Sequence, residues 1–278
     1  DKPFYDASFS CSSYDNCHVP WGNRHEGTMR HVKNNDFISG QYVWTGFDYI
    51  GEPTPYGWPA RSSYFGIIDL AGFPKDVYYM YQSECVRKGG VASFPALELD
   101  GGQDIDLWAY YNNADEVELF VNGKSQGVRS KGKDDFHVMW RVKYESGTVK
   151  AVSRKEGKTV AEQEIRTAGE PAQIRPADRS TIQADGKDLS FITVEILDKD
   201  GNLCPNAEND VTFAVEGAAS LLEWITEAHL YGEVQGNHRK AFYGKCLVVL
   251  QNNGEPGGVK VTATADGLEK ATTAIKVK

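Results

Sequence analysis

The chain of 278 residues has a formal net charge of -9, with 40% hydrophobic and 25% charged residues. This length and composition predict an ordinary soluble protein of two or three compact units. A nucleic-acid partner is disfavoured because the Lys and Arg residues are scattered among acidic ones and form no cluster that could neutralise phosphates. No apolar run approaches the roughly 20 residues that cross a bilayer, which argues against a membrane span.

The first informative segment combines a strand pattern with residue types that bind sugars. A short apolar and aromatic run from Phe37 to Trp44 predicts a buried strand, and glycine and proline turn residues follow it. The nine positions that start at the end of this run hold Trp44, Phe47, Asp48, Tyr49 and Glu52. Aromatic rings cover the C–H face of a sugar and carboxylates accept its hydroxyl hydrogen bonds, so the cluster indicates a carbohydrate site. The alternative is an aromatic-rich strand end that packs into a core.

Three stretches near the start of the chain resemble one enzyme family. They are Cys11-Ser-Ser-Tyr-Asp-Asn, Phe37-Ile-Ser-Gly and Arg61-Ser-Ser-Tyr-Phe-Gly-Ile-Ile-Asp-Leu-Ala-Gly-Phe-Pro-Lys-Asp-Val-Tyr-Tyr-Met-Tyr-Gln-Ser-Glu84. Together they resemble the end of the catalytic barrel of glycoside hydrolase family 2, of the β-galactosidase type common in gut Bacteroidetes. The resemblance implies a mainly β chain: residues 1–88 end a (β/α)8 barrel, and two immunoglobulin-like β-sandwich domains follow at 95–169 and 171–278. It also implies that Gln41–Trp44 is the eighth barrel strand and that Pro74 occupies an early position of the last barrel helix.

The same resemblance assigns roles at the end of that strand, where such barrels build their active sites. Trp44 would form a wall of the subsite for the terminal sugar and precede a cis peptide bond, and Phe47, Asp48 and Glu52 would contact the substrate. No catalytic residue is assigned, because the family's acid/base and nucleophile glutamates lie before the segment that this chain covers. The expected chemistry is retaining hydrolysis, with two carboxyl groups about 5 to 5.5 Å apart. Asp48 and Glu52 as a self-contained catalytic pair is the less favoured alternative, since a turn separates them.

Neither a metal nor a cofactor is expected. The five cysteines form no C-x-x-C pair, so zinc has no ligand framework. Cys204 and Cys246 are predicted to be buried free thiols, whereas Cys11 and Cys17 lie close enough in sequence to bridge. Asp198-Lys-Asp-Gly-Asn202 imitates the opening of a calcium loop but lacks the turn glycine and the terminal glutamate.

From residue 105 onward the pattern is all β. Short runs predict five strands, at Ile105–Tyr111, Glu116–Val121, Phe136–Val142, Thr148–Arg154 and Val160–Thr167. Asn122-Gly123 predicts a hairpin turn, and the glycine- and serine-rich stretch at 88–93 predicts a linker. Trp108, Phe120 and Trp140 are expected in the core of this sandwich.

A polar break at Gly169-Glu-Pro171 predicts the start of a second β unit. Its expected strands are Ala172–Arg175, Ser190–Leu197, Val211–Glu216, Lys240–Gln251, Val259–Ala265 and Thr272–Val277. Its turns resemble those of bacterial immunoglobulin-like modules, which implies a spacer. Three departures from the family pattern put any site built from those regions in doubt: Cys85–Leu99, Leu221–Val234 and Pro176.

Two functions of different classes follow. The favoured one is the C-terminal part of a periplasmic or secreted β-galactosidase-like hydrolase whose partner is a β-linked oligosaccharide or polysaccharide, and the chain alone is expected to be inactive. The alternative is a non-catalytic β-sandwich array for carbohydrate binding or cell-surface display. Assembly into a homo-oligomer is left open, because a partial barrel leaves an apolar face and a strand edge to be covered.

Overall fold

The computed structural model describes residues 5, 11–12, 14–86, 102–177, 181–225 and 236–278, and the chain divides into two compact units, Asp1–Thr167 and Ala168–Lys278. The first unit holds both the region that resembles a barrel end and the first predicted sandwich. The predicted linker at 88–93, the boundary at residue 95 and most of the Cys85–Leu99 departure lie outside the described residues.

The first unit begins with helices and a small antiparallel hairpin: α1 (His25–Asn34), β1 (Tyr49–Ile50), β2 (Ser62–Ser63) and α2 (Asp76–Cys85). Helix α1 starts where the Asp15 carboxylate accepts hydrogen bonds from the amides of His25 and Glu26, at 2.8 and 2.7 Å. These bonds satisfy two of the first-turn amides that have no partner inside the helix. A carboxylate at the positive end of the helix dipole is favourable as well.

Two expectations for this region are wrong. Residues 37–44 form no strand, although residues 41–44 alternate between half-buried and exposed as strand residues do. A barrel strand needs parallel neighbours for its backbone groups, and the described residues place no strand beside this run. Helix α2 begins at Asp76 after Lys75 in extended backbone, so Pro74 precedes the helix, where it forms an isolated bridge with Ile68.

Six strands follow in the first unit: β3 (Asp104–Ala109), β4 (Glu116–Val121), β5 (Lys124–Arg129), β6 (Val138–Lys143), β7 (Thr148–Lys155) and β8 (Lys158–Arg166). β3 pairs with β6, and the others form an antiparallel sheet in the order β5-β4-β7-β8. Asn122 and Gly123, with φ of 48° and 76°, join β4 to β5, which confirms the predicted hairpin. β5 is absent from the prediction because its residues are polar and mostly exposed.

One cluster of buried side chains lies between these two sheets: Leu107, Ala109, Tyr111, Val117, Leu119, Val138, Trp140 and Ala151. Trp140 is therefore confirmed as a core residue. The expectation that Trp108 and Phe120 belong to this core is wrong, since both are only partly buried and lie on the opposite faces of their strands. The alternation of side chains along a strand separates them from neighbours such as Leu107 and Leu119.

A second cluster joins the helices to the strands within the first unit. Met80 of α2, Tyr110 and Phe136 are fully buried against one another. The partly buried ring of Trp108 packs against this cluster and stacks on His137, with 3.7 Å between the ring centroids. This second cluster therefore packs helix α2 against residues that flank and include strand β3 in the first unit.

The second unit consists of nine described strands: β9 (Pro171–Ala177), β10 (Thr181–Ile182), β11 (Leu189–Asp198), β12 (Asp210–Gly217), β13 (Ala219–Ile225), β14 (His238–Lys240), β15 (Lys245–Asn252), β16 (Gly257–Thr264) and β17 (Ala271–Val277). They form a five-stranded sheet, β10-β17-β16-β12-β14, and a four-stranded sheet, β13-β15-β11-β9. A single buried cluster draws side chains from both sheets, among them Ile192, Val248, Phe213 and Val261. The two sheets therefore pack face to face.

The prediction of one strand over Lys240–Gln251 is wrong. Tyr243 and Gly244 have φ of 48° and 71° and form a turn that separates β14 from β15. β10, β13 and β14 are absent from the prediction, and residues 226–234 of the Leu221–Val234 departure lie outside the described residues. Pro176 lies in β9, at the edge of its sheet, where a residue without an N–H is tolerated.

In the part of the chain that the structure describes, no helix has the length and apolarity needed to cross a membrane; α1 and α2 have 10 residues each.

Candidate functional site

The predicted site residues lie on a segment that is tied to a second segment, residues 65–68, by backbone hydrogen bonds. We call residues 45–48 and 65–68 the paired segments. Four amide-to-carbonyl bonds of 2.9 to 3.2 Å link them, from Thr45 to Phe65, from Ile67 to Thr45, from Ile68 to Gly46 and from Asp48 to Ile68. This pairing fixes the backbone that directly follows Trp44.

Gly66 allows the paired segments to approach each other. A Cβ at this position would lie 2.2 Å from the backbone nitrogen of Asp48 and 2.4 Å from the carbonyl carbon of Phe47. Both distances are shorter than any van der Waals contact, so only glycine fits here. The sequence gives no signal for this requirement, because the two segments are brought together by the fold.

The Trp44 indole is exposed and oriented by two neighbours. Trp44 is 75% exposed. The Nε1–H of its indole donates a hydrogen bond to the Tyr49 hydroxyl at 3.2 Å. The Tyr49 hydroxyl in turn donates to Glu52 Oε2 at 3.2 Å. The two rings meet edge to face, with centroids 6.1 Å apart. The peptide bond from Trp44 to Thr45 is cis, as the resemblance implies.

Asp48 is buried, whereas the predicted substrate contact requires an accessible carboxylate. Its side chain has 0% exposure, and Oδ2 lies 2.6 Å from Nζ of Lys75, whose side chain is 16% exposed. Oδ1 accepts the Gly66 amide hydrogen at 2.7 Å. A buried carboxylate is stable in such a place only with a counter-charge and hydrogen bonds. The Asp48 carboxylate therefore holds the paired segments together and faces the protein interior.

Phe47 is 59% exposed. It is one of seven large apolar residues between positions 21 and 58 of the first unit that are more than half exposed: Trp21, Phe37, Tyr42, Trp44, Phe47, Ile50 and Trp58. In the described part of the second unit, Phe191, Leu222 and Tyr243 pass the same level by only a few per cent, at 51 to 54% exposed. Exposed apolar side chains at this density are typical of surfaces that bind a ligand or another part of a protein.

A cavity of about 330 Å³ lies beside Trp44, and its wall also includes Gln41, His25 and Tyr81. Gln41 Nε2 donates to the Tyr81 hydroxyl at 3.1 Å, and His25 Nδ1 lies 3.0 Å from the same oxygen. Burial lowers the pKa of His25, which outweighs the opposing effect of Asp15. The imidazole is therefore held neutral near neutral pH, and these polar groups of the wall are hydrogen-bonded to one another.

No group of three or more His, Cys, Asp or Glu side chains in the described ranges could hold a metal ion. None of the five cysteines forms a disulfide, so Cys11 and Cys17 do not bridge. Cys204 and Cys246 are buried, which confirms the prediction for them. Burial raises the pKa of the Cys246 thiol to about 12, which makes it a poor nucleophile and metal ligand.

Comparison with known families and proteins identifies the group to which these residues belong. Residues 176–274 match the glycoside hydrolase family 2 C-terminal domain 5, and residues 102–161 match a domain of unknown function, DUF4982. Over its whole length the chain is 62% identical to the beta-galactosidase BoGH2A of Bacteroides ovatus. The chain belongs to glycoside hydrolase family 2. It covers 33% of BoGH2A.

Two other relatives match this chain over almost its whole length. A putative beta-glucuronidase of Formosa agariphila is 33% identical over 91% of the chain, which spans 25% of that relative. The crystal structure of a beta-glycosidase from Bacteroides vulgatus matches 96% of the chain with a TM-score of 0.87 and 31% identity, over 34% of its own length. The chain thus spans a quarter to about a third of these relatives. Their names differ in the sugar, so membership of the family does not by itself assign a substrate.

Proposed function

We propose that this chain is the C-terminal part of a retaining β-glycosidase of the β-galactosidase type, which removes terminal β-linked sugars from oligo- or polysaccharides. The observation that carries the proposal is the exposed Trp44 indole, held by Tyr49, in a chain that is 62% identical to a beta-galactosidase. An indole face next to carboxylate groups is suited to a sugar, which presents both C–H surface and hydroxyl groups.

In this proposal Trp44 forms a wall of the subsite for the terminal sugar. Phe47 is exposed nearby in sequence and supplies a further substrate contact. Glu52 is exposed as well, and its carboxylate accepts a hydrogen bond from the Tyr49 hydroxyl. Asp48, by contrast, supports the site through Lys75 and Gly66, because its buried carboxylate does not reach solvent. The contribution of this chain to catalysis is thus to bind and orient the sugar.

The bond-breaking groups of this proposal lie outside the chain. A nucleophilic glutamate attacks the anomeric carbon to form a glycosyl-enzyme while a second glutamate protonates the leaving oxygen, and water then releases the sugar with the second group acting as base. Neither glutamate can be assigned to residues 1–278, so the isolated chain is expected to hydrolyse no glycoside.

The proposed architecture gives the exposed apolar group a role. Residues 1–88 would end a (β/α)8 barrel whose other strands cover side chains such as Tyr42 and Phe37, and the two following β units would be immunoglobulin-like sandwiches. The face-to-face packing of two antiparallel-rich sheets in the second unit supports the sandwich assignment. The alternation of half-buried and exposed residues at 41–44 supports a barrel strand that acquires its neighbours in the larger protein.

The test uses the full-length protein that contains this chain, with p-nitrophenyl β-D-galactopyranoside as substrate. We expect Trp44→Ala to lower kcat/KM roughly 10- to 100-fold, the effect of losing about 1.4 to 2.8 kcal/mol of transition-state binding. Phe191→Ala removes a comparably exposed aromatic ring from the second unit and should leave kcat/KM unchanged.

The outcomes separate the parts of the proposal. Unchanged turnover in Trp44→Ala would remove Trp44 from the site, and turnover by the isolated 278-residue chain would refute the placement of the catalytic glutamates. A full-length protein that binds polysaccharide but cleaves no β-glycoside would favour the alternative, a non-catalytic array for carbohydrate binding or display.

A further inference from the structure

We infer that Tyr49 is a positioning residue for the Trp44 indole and that Glu52 acts through Tyr49. This inference rests on the proposed role of Trp44 in holding a sugar. It adds a residue that the sequence analysis left without a role, and it changes the expected role of Glu52 from direct substrate contact to support of the site.

The first argument is that the Trp44 ring has little packing to hold it. A residue that is 75% exposed is free on most of its surface, so its χ angles are fixed mainly by the few contacts it makes. The described contacts of the indole are the 3.2 Å hydrogen bond and the edge-to-face contact at 6.1 Å, and Tyr49 makes both. Loss of the Tyr49 hydroxyl would therefore free the indole to rotate.

The second argument is that Tyr49 itself is well placed to act as a fixed support. It lies in β1, where it pairs with Ser63 of β2, a fully buried residue. The preceding residue, Asp48, is locked by Lys75 and by the Gly66 amide. The backbone of Tyr49 is thus held by its pairing with β2 and by the contacts of Asp48, so Tyr49 can support the exposed Trp44 ring.

The third argument is the direction of the hydrogen bonds. An indole N–H can only donate, so the Tyr49 hydroxyl must accept from Trp44 and direct its own hydrogen elsewhere. The Glu52 carboxylate, which can only accept when ionised, receives that hydrogen at 3.2 Å. Glu52 therefore fixes the hydroxyl in the orientation that serves Trp44.

The hydrogen bond to Tyr49 also determines which surface of Trp44 is available to a ligand. The indole N–H is occupied by Tyr49, so Trp44 presents its ring face and not a hydrogen-bond donor. The site is accordingly suited to the apolar face of a pyranose, where several axial C–H bonds point to one side, and recognition of hydroxyl groups falls to other residues.

The experiment is a double-mutant cycle in the full-length protein, read as kcat/KM for p-nitrophenyl β-D-galactopyranoside. We expect Tyr49→Phe, which keeps the ring and loses the hydroxyl, to lower kcat/KM by about 2- to 10-fold, as for one net hydrogen bond. In a Trp44→Ala background the same change should have less than about a 2-fold effect, because the group it positions is gone.

Glu52 is tested in the same way. Glu52→Ala should lower kcat/KM about as much as Tyr49→Phe and should add nothing when the two are combined. Glu52→Gln should retain part of the activity, since its carbonyl oxygen can still accept the hydroxyl hydrogen. Tyr243→Phe, the same chemical change at an exposed tyrosine of the second unit, serves as the control and should leave kcat/KM unchanged.

The results that overturn the inference are distinct from those that overturn the proposed function. If Trp44→Ala has no effect, the proposed site fails and the inference fails with it. If Trp44→Ala is impaired but Tyr49→Phe matches wild type, or is equally harmful in both backgrounds, Tyr49 does not act through Trp44. A further loss from Glu52→Ala in the Tyr49→Phe background would restore Glu52 to direct substrate contact.

Discussion

The contact between Asp48 and Lys75 supports the candidate site at the scale of single residues. The carboxylate has no exposed surface and the ammonium group little, so removal of one partner leaves a buried charge without compensation. We expect Lys75→Met to lower the free energy of unfolding by about 3 to 5 kcal/mol. Urea unfolding of the variant and the wild type at equal protein concentration measures this difference.

The matched control is Lys260→Met in the second unit. Lys260 Nζ lies 3.4 Å from Glu216, but the two side chains are 55% and 67% exposed, so the loss should stay below about 1 kcal/mol. The double variant Asp48→Asn with Lys75→Met should recover most of the stability lost in Lys75→Met, because no buried charge remains unpaired. Equal losses for Lys75→Met and Lys260→Met would show that burial of the pair has no energetic importance.

Sequence patterns identified the exposed aromatic residues of the site better than its charged ones. The cluster at the end of the apolar run indicates a carbohydrate site and not a packed core for Trp44 and Phe47, and both residues are exposed. The burial of Asp48 depends on its ion pair with Lys75, a residue that lies 27 positions later in the sequence and outside the paired segments. A local pattern cannot predict such a partner, and for the same reason the role of Tyr49 became visible only in the structure.

At the scale of elements, the paired segments depend on Gly66. We expect Gly66→Ala to destabilise the first unit strongly, because the added Cβ would lie 2.2 Å from the Asp48 nitrogen and could be accommodated only by separating the segments. The same change should weaken substrate binding, since the backbone after Trp44 would move. Thermal unfolding and KM of the full-length variant test the two effects together.

Gly57→Ala is the control for Gly66→Ala. A Cβ at Gly57 would meet nothing within 4 Å, so this substitution in the neighbouring loop should leave the unfolding temperature nearly unchanged. A Gly66→Ala protein as stable as Gly57→Ala would mean that the paired segments can separate at little cost.

Strand prediction succeeded where burial alternates and failed where it does not. In β4 the residues alternate strictly between buried and half-buried, and its predicted bounds, Glu116–Val121, are confirmed. The polar β5 carries no such pattern, and β14, with three residues, is too short for an alternation to be recognised in sequence. The run from Phe37 to Trp44 shows the opposite failure, because its strand pattern is present but the hydrogen-bonding neighbours are not among the described residues.

At the scale of the whole molecule, the chain has a net charge of -9, and internal hydrogen bonds and ion pairs stabilise the ionised form of some of its carboxylates. In the first unit, burial raises the pKa of Glu84, but hydrogen bonds and charges from Lys131 and Lys33 outweigh it and lower the pKa overall. Both ammonium groups lie close to the carboxylate, at 2.9 and 3.1 Å. Protonation of Glu84 in acid therefore removes a stabilising interaction from this unit.

The second unit holds a corresponding carboxylate at Asp198. Burial raises its pKa, but the side chain of Asn202 and the amides of Gly169, Asn202 and Asp200 donate to it and lower the pKa well below its usual range. These four hydrogen bonds measure 2.8 to 2.9 Å. The Asp198 carboxylate in the loop that imitates a calcium site thus accepts three hydrogen bonds from within that loop and one from the Gly169 amide.

Acid should therefore act on the second unit through Asp198. Its folded pKa lies below the unfolded value of about 3.9, so its stabilising contribution is complete above that pH and is lost as pH falls through the folded pKa. We expect Asp198→Asn to lower the free energy of unfolding at about pH 7 and the difference from wild type to shrink by about pH 3. Denaturant titrations at a series of pH values measure this convergence.

Asp200→Asn separates this effect from a general change in charge. It removes the same formal charge from the same turn, but the Asp200 side chain is 64% exposed and paired only with the neighbouring Lys199 among the described contacts. The loss of net negative charge in acid affects Asp198→Asn and Asp200→Asn equally. Only Asp198→Asn should therefore differ from wild type in the free energy of unfolding by an amount that shrinks as the pH falls. Stability curves for Asp198→Asn and wild type that stay parallel across the range would contradict the assignment of this role to Asp198.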